Sequence, residues 1–181
     1  MLLGALGLSA CAQRPLAPEA RARAVPPEGR LITVEGRRVH VLMQGPADAP
    51  PLILLHGASG NLRDFTFDLI PRLTPRFRVV AFDRPGLGLS DPLDPDGATP
   101  PEQAAFLRRA AADLGVGRAV LVGHSFGAAV ALAWALDHPR GVGAVVCLGG
   151  AMEPWPGGLG PLYPLAATGL GGATLAPLMS T

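Results

Sequence analysis

The 181 residues are 49% hydrophobic and 16% charged, and 15 basic side chains, all of them arginine, face 14 acidic ones for a formal net charge of +1. So apolar and nearly neutral a chain is not kept unfolded by charge repulsion. Without a basic run it also offers no electrostatic footprint for a phosphate backbone, so no nucleic-acid partner is expected. Gly at 24 and Pro at 20 are scattered among apolar runs with no collagen period, which leaves a globular domain. The four histidines, at 40, 56, 124 and 138, have no metal-site spacing with one another or with Cys11 and Cys147, so no metal is expected. The two cysteines sit in unlike settings and are not expected to form a disulfide.

In chain order, residues 1–11 (MLLGALGLSAC) form a short apolar run ending in small residues, the layout of a secretory core segment with its cleavage site. The run is too short to span a bilayer. Leu8-Ser9-Ala10-Cys11 resembles the lipobox of bacterial lipoproteins, although no Lys or Arg precedes the apolar run. That resemblance implies lipidation of Cys11 and a lipid anchor in the bacterial cell envelope; the alternative is a frayed apolar N-terminus on a cytoplasmic protein. Residues 12–29, rich in Ala, Pro, Arg and Glu, read as a tether. At the polyproline rise its reach would be about 56 Å.

The pattern changes at Leu31. Residues 31–35 and 39–44 read as two strands joined by a turn at Gly36-Arg37-Arg38. Residues 52–55 are continuously apolar, which suits a strand buried on both faces. Asn61 then reads as the cap of one helix carrying Leu62, Phe65, Leu69, Ile70 and Leu73 on a single face. Residues 77–82 form the fourth strand. Thr99-Pro100-Pro101-Glu102 supplies an N-cap, a first-turn proline and a capping-box acid for a helix that Gly115 ends. Residues 119–122 read as a strand, 126–137 as a helix stopped by Pro139, and 144–148 as a sixth strand. A hairpin followed by strands alternating with helices predicts an α/β fold with a mostly parallel sheet covered on both faces.

In such a sheet ligands bind beyond the carboxyl ends of the strands, and three segments there carry chemistry. Gly123-His124-Ser125-Phe126-Gly127 follows a strand and opens a helix, the setting of a nucleophile elbow that lifts a serine hydroxyl above the sheet edge. His56-Gly57-Ala58-Ser59-Gly60 follows the third strand and offers backbone donors for a developing oxyanion. Asp83-Arg84-Pro85-Gly86-Leu87-Gly88-Leu89-Ser90-Asp91 follows the fourth. It is not a dinucleotide loop, since Asp91 stands where the third glycine belongs, and a chain without lysine has no phosphate-binding P-loop. No cofactor is expected.

Together and in this order, HGASG, DRPGLGLSD and GHSFG resemble the α/β-hydrolase family over residues 31–151. The resemblance implies the α/β-hydrolase fold, Ser125 as the nucleophile and the N–H groups of Ala58 and Phe126 as the oxyanion hole. Serine at 125, where the dehalogenases and epoxide hydrolases of this fold carry aspartate, implies small ester-like or acyl substrates. Peroxidase-type and C–C bond hydrolases of the fold also use serine, so the reaction type stays open.

The family's triad continues from Ser to an acid and then a His along the chain. Here the only histidine after Ser125 is His138, about 20 Å away along a helix at 1.5 Å per residue. The expectation is therefore a chain that ends before the last two strands of the fold and is nearly inactive by itself. Glu153, just past the sixth strand, is a candidate acid; the plainer reading is a solvated loop carboxylate. From Pro154 to Thr181 there is no charged residue, and five Pro and six Gly argue against a transmembrane helix. This uncharged stretch fits the start of a lid over an apolar substrate, or a truncated core segment. The domain reading is a signal segment at 1–11, a tether at 12–29, the hydrolase core at 30–151 and a lid start at 152–181. The rival function is a non-catalytic binding or interaction module that keeps the fold without a base.

Overall fold

The computed structural model describes residues 28–95 and 97–150. Cys11, Glu153 and the lid start lie outside the described residues, as does all but the last two residues of the tether. The first strand, β1 (Arg30–Val34), turns into β2 (Arg37–Gln44) through Glu35 and Gly36. Their φ values of 49° and 77° are both left-handed. A two-residue turn of that kind has the twist of the strands it joins. The turn therefore falls earlier than the Gly36-Arg37-Arg38 expected from sequence, and Arg37 already pairs with Val34.

The chain continues through β3 (Pro51–Leu55), the short helices α1 (Arg63–Thr66) and α2 (Leu69–Leu73), and β4 (Arg78–Phe82). Then follow α3 (Pro100–Asp113), β5 (Ala119–His124), α4 (Phe126–Asp137), a 3-10 turn at Pro139–Gly141 and β6 (Val142–Leu148). The strands order as β1-β2-β4-β3-β5-β6. β2 is antiparallel to β1 and β4, and the rest of the sheet is parallel, so the mostly parallel α/β architecture is observed.

One helix expected after Asn61 is in fact two. Pro71 explains the break: its ring collides with the carbonyl four residues earlier, that of Phe67, in a continuous helix, but is tolerated in the first turn of a new one. Asn61 still starts the segment, its Oδ1 accepting the Arg63 N–H at 2.9 Å. The signals at 99–102 are realised as read. Thr99 caps α3, and its N–H donates to Glu102 Oε2 at 2.8 Å.

Alternation along the buried strands feeds two cores. Ile53, Leu55, Val80, Phe82 and Leu121 face α3 and α4, where Phe106, Leu107, Val130 and Trp134 pack. Leu52, Leu54, Val79, Ala81 and Val122 face the other way, against Leu62, Phe65 and Ile70. Continuous apolar runs are thus buried on both faces, as a parallel sheet requires. On β6, Val142 and Val145 pack against the first core, while Val146 and Leu148 are exposed.

Where β4 ends, Asp83 turns a buried carboxylate into the joint between layers. His40 Nδ1 donates to its Oδ2 at 2.7 Å, the Leu62 N–H to Oδ1 at 2.7 Å and the Leu89 N–H to Oδ2 at 2.9 Å. One side chain thereby ties β2, the entry to α1 and the loop that follows β4. Ser90 closes the loop, accepting the His40 N–H at 3.0 Å and donating to Asp83 O at 2.8 Å. Removing the carboxylate strands buried donors, so Asp83→Ala should lower the unfolding free energy by about 3 kcal/mol. Urea unfolding at neutral pH measures it; a loss within error of zero contradicts the account.

Candidate active site

β3 is flanked by β4 on one side and β5 on the other, so the chain leaves it in one direction and returns in the opposite one. Ligand crevices of open α/β sheets form at such a switch point, beyond the carboxyl ends of the strands. All three segments singled out from sequence emerge there, HGASG in the middle, with DRPGLGLSD and GHSFG on either side.

Ser125 joins β5 to α4 with φ 50° and ψ −119°. A non-glycine residue held there is strained, and the surroundings must over-determine it. They do so through the flanking glycines. A Cβ on Gly123 would strike Ala128 N at 2.5 Å, and one on Gly127 would strike His56 O at 2.5 Å. Only hydrogen fits at either position, so α4 packs directly on the end of β3. The Ser125 N–H donates to Leu148 O at 2.9 Å, which ties the elbow to β6.

The loop after β3 lies against this elbow. A Cβ on Gly57 would sit 3.2 Å from Ser125 Cβ and 3.1 Å from His124 Nδ1. Ala58 is exposed beside it, and Phe126 occupies the first position of α4, where a helix leaves its N–H unpaired. Neither the Ala58 nor the Phe126 amide donates to a partner among the described residues. A cavity of about 380 Å³ opens beside both, walled also by Ser59, Arg84, Leu87 and Gln103. A larger cavity of about 610 Å³, near Arg108, Trp134 and Arg140, lies at the amino ends of β5 and β6, away from the elbow.

None of the chain's four histidines is hydrogen-bonded to Ser125. His40 is held by Asp83. His56 is fully buried; its Nδ1 donates to Gly57 O at 2.9 Å and its Nε2 accepts the Arg84 N–H at 2.9 Å. Those two bonds require the neutral ring, and burial with the nearby Arg84 cation lowers its pKa to about 4. His138 caps the far end of α4.

The DRPGLGLSD segment stands out in the sequence, but Arg84 and Gln103 acquire roles only in the folded chain. Arg84 is 2% exposed, and its guanidinium donates to His56 O at 2.8 Å, Gly57 O at 2.8 Å and Gln103 Oε1 at 2.7 Å. The same group lies 4.8 Å from the centre of the Phe126 ring. A signal was present: a charged pair directly after an apolar strand. Among the described residues no group of His, Cys, Asp or Glu could hold a metal ion, and no helix is long and apolar enough to cross a membrane.

The family model of the alpha/beta hydrolase fold matches residues 50–172, and the chain belongs to that family. It is 38% identical over 130 residues to the magnesium-chelatase 30 kDa subunit of Rhodobacter capsulatus, a match covering 72% of this chain and 45% of that protein. It is 34% identical over 125 residues to 2-hydroxy-6-oxononadienedioate/2-hydroxy-6-oxononatrienedioate hydrolase 2 of Pseudomonas putida, covering 67% and 42% respectively. The solved structure of Cfl2 from Burkholderia cenocepacia superposes with a TM-score of 0.69 at 29% identity, covering 83% of this chain and 54% of that one. The chain thus spans less than half the length of these two curated relatives.

The neutral His56 has a pH signature. Its folded pKa of about 4 lies below the ordinary 6.5, so between those values the unfolded chain binds the extra proton. The contribution is full above pH 6.5 and is lost as pH falls through about 4. His56→Gln, which keeps an acceptor for the Arg84 N–H but does not titrate, should flatten that part of the stability–pH curve in urea titrations at pH 7 and pH 4.5. An unchanged slope rules out His56 as its source.

Proposed function

We propose that the chain carries the nucleophile half of a serine hydrolase acting on small ester-like or acyl substrates, with no cofactor. Ser125 Oγ attacks the acyl carbon, and the carbonyl oxygen, taking the electron pair of the broken π bond, is received by the N–H groups of Ala58 and Phe126. Each such donor is worth about a hundredfold or more in rate when it is aimed at the oxyanion. The observation that carries the reading is the meeting of the strained Ser125 with the Gly57 loop, flanked by two amides that donate to no partner among the described residues. The cavity beside them, with Leu87 and Phe126 in its wall, suits an apolar acyl group. The serine's proton needs a base, and none of the four histidines is engaged with it. The family pattern puts that base, and the acid behind it, beyond the residues described; Glu153 is the candidate acid within the chain.

A second reading has one observation in its favour. A relative at 38% identity is named as a chelatase subunit and not as a hydrolase. In that reading the fold serves as a non-catalytic binding module. An alkyl fluorophosphonate separates the two. Slow formation of a single adduct on the Ser125 peptide, lost in Ser125→Ala, is the expected result, with ester turnover at most the residual left when a triad lacks its histidine, roughly a thousandfold over water. No adduct at any time, or one that survives Ser125→Ala, decides for the binding module.

We also propose that the chain is exported and acylated at Cys11, which follows Leu8-Ser9-Ala10. Stable attachment takes more than one acyl chain, since a single one holds marginally. Cys11→Ser should leave the protein unprocessed or release it from the membrane fraction; an intact Met1 in the mass of the wild-type protein refutes the anchor.

A further inference from the structure

We propose that Arg84 is the positioning residue of this site: it pins the Gly57 carbonyl so that the Ala58 N–H turns toward the Ser125 side, and it braces Phe126, the bearer of the second donor. The inference rests on the reading of Ser125, Ala58 and Phe126 given above.

The geometry follows from the peptide bond. In a planar trans unit the carbonyl of one residue and the N–H of the next point in opposite directions, and no cis peptide is present among the described residues. To aim the Ala58 amide is therefore to hold Gly57 O. That oxygen accepts from Arg84 Nη2 at 2.8 Å, from His56 Nδ1 at 2.9 Å and from the Gly60 N–H at 3.4 Å. The preceding carbonyl, His56 O, is held by Arg84 Nε at 2.8 Å, so one planar fork fixes two consecutive peptide units. Without those bonds a glycine-flanked loop has little to set its ψ angle.

The same side chain reaches the elbow. Its guanidinium lies 4.8 Å from the centre of the Phe126 ring, within the range of a cation–π contact. Gln103 of α3 holds it from behind, accepting from Arg84 Nη1 at 2.7 Å and donating through Nε2 to Ala98 O at 2.7 Å. What makes this more than packing is the missing counter-ion. The neighbouring Asp83 carboxylate is occupied by His40, Leu62 and Leu89, and no salt bridge to Arg84 is present among the described residues. Burial pulls the guanidinium down to about 10, so it stays charged at neutral pH. A buried cation without a carboxylate is costly. Most of its bonds go to the loop and the elbow, and its positive charge sits behind the place where an oxyanion would form.

Lysine keeps the charge but not the fork, so one ammonium cannot hold both carbonyls and stack on Phe126. The full chain with Arg84→Lys and with Arg84→Gln tests this through amide NMR and fluorophosphonate labelling. The Ala58 amide order parameter should fall from about 0.85 to below about 0.6 in both variants, while the amides of Ile53, Leu121 and Val130 stay rigid. The labelling rate at Ser125 should fall by about ten- to a hundredfold, with Lys no better than Gln. An unmoved Ala58 amide in a folded variant, or wild-type labelling in Arg84→Lys, overturns the assignment. If Gln disturbs the core amides, the Lys variant decides. Failure of the wild-type chain to label at all overturns the nucleophile reading instead, and the Ala58 amide still decides on Arg84.

Discussion

The architecture of the site depends on two adjacent buried charges at the end of β4 whose side chains do different work. Asp83 gathers donors from β2, from the start of α1 and from its own loop, and so fixes the layers to one another. Arg84 holds the carbonyls of the loop after β3 and lies against the first residue of α4, joining the two backbone segments that flank Ser125. Burying an ion is unfavourable unless its hydrogen-bonding capacity is met. Each partner of this pair is thereby a constraint, since displacing it would leave a charge stranded in an apolar interior.

His56 shows how that constraint spreads. Buried beside a cation, the ring is kept neutral, and neutrality is what lets one nitrogen donate while the other accepts. It thus contributes to holding Gly57 O and is removed from proton transfer. Both His56 ring nitrogens are occupied by backbone groups, so neither is free to exchange a proton with a substrate or with Ser125. The strained Ser125 fits the same account. Its left-handed φ persists because Gly123 and Gly127 let α4 settle on β3 with no room for a different path.

Much of the fold was legible in the chain. The continuous apolar runs, the capping box at Thr99 and the stop at Pro139 each act within a few residues, so local chemistry decides them. Where a local signal was misread, a local rule accounts for it: Pro71 divides the helix after Asn61, and paired left-handed residues at Glu35 and Gly36 shift the hairpin turn. The elbow and the Gly57 loop were also legible, because glycine spacing around a strand end is a steric requirement written into sequence.

What sequence determined by itself was therefore the order of strands and most helices, the family and the position of the serine. Tertiary structure alone decided which charges are buried and whom they face. That His40 would meet Asp83 across 43 residues, or that Arg84 would span His56, Gly57, Gln103 and Phe126, depends on the strand order β2-β4-β3-β5 bringing separate strand ends together. Hydrophobic periodicity specifies which face of an element is apolar but carries no record of its neighbour, and the partners of a buried ion are set only when the sheet closes around it.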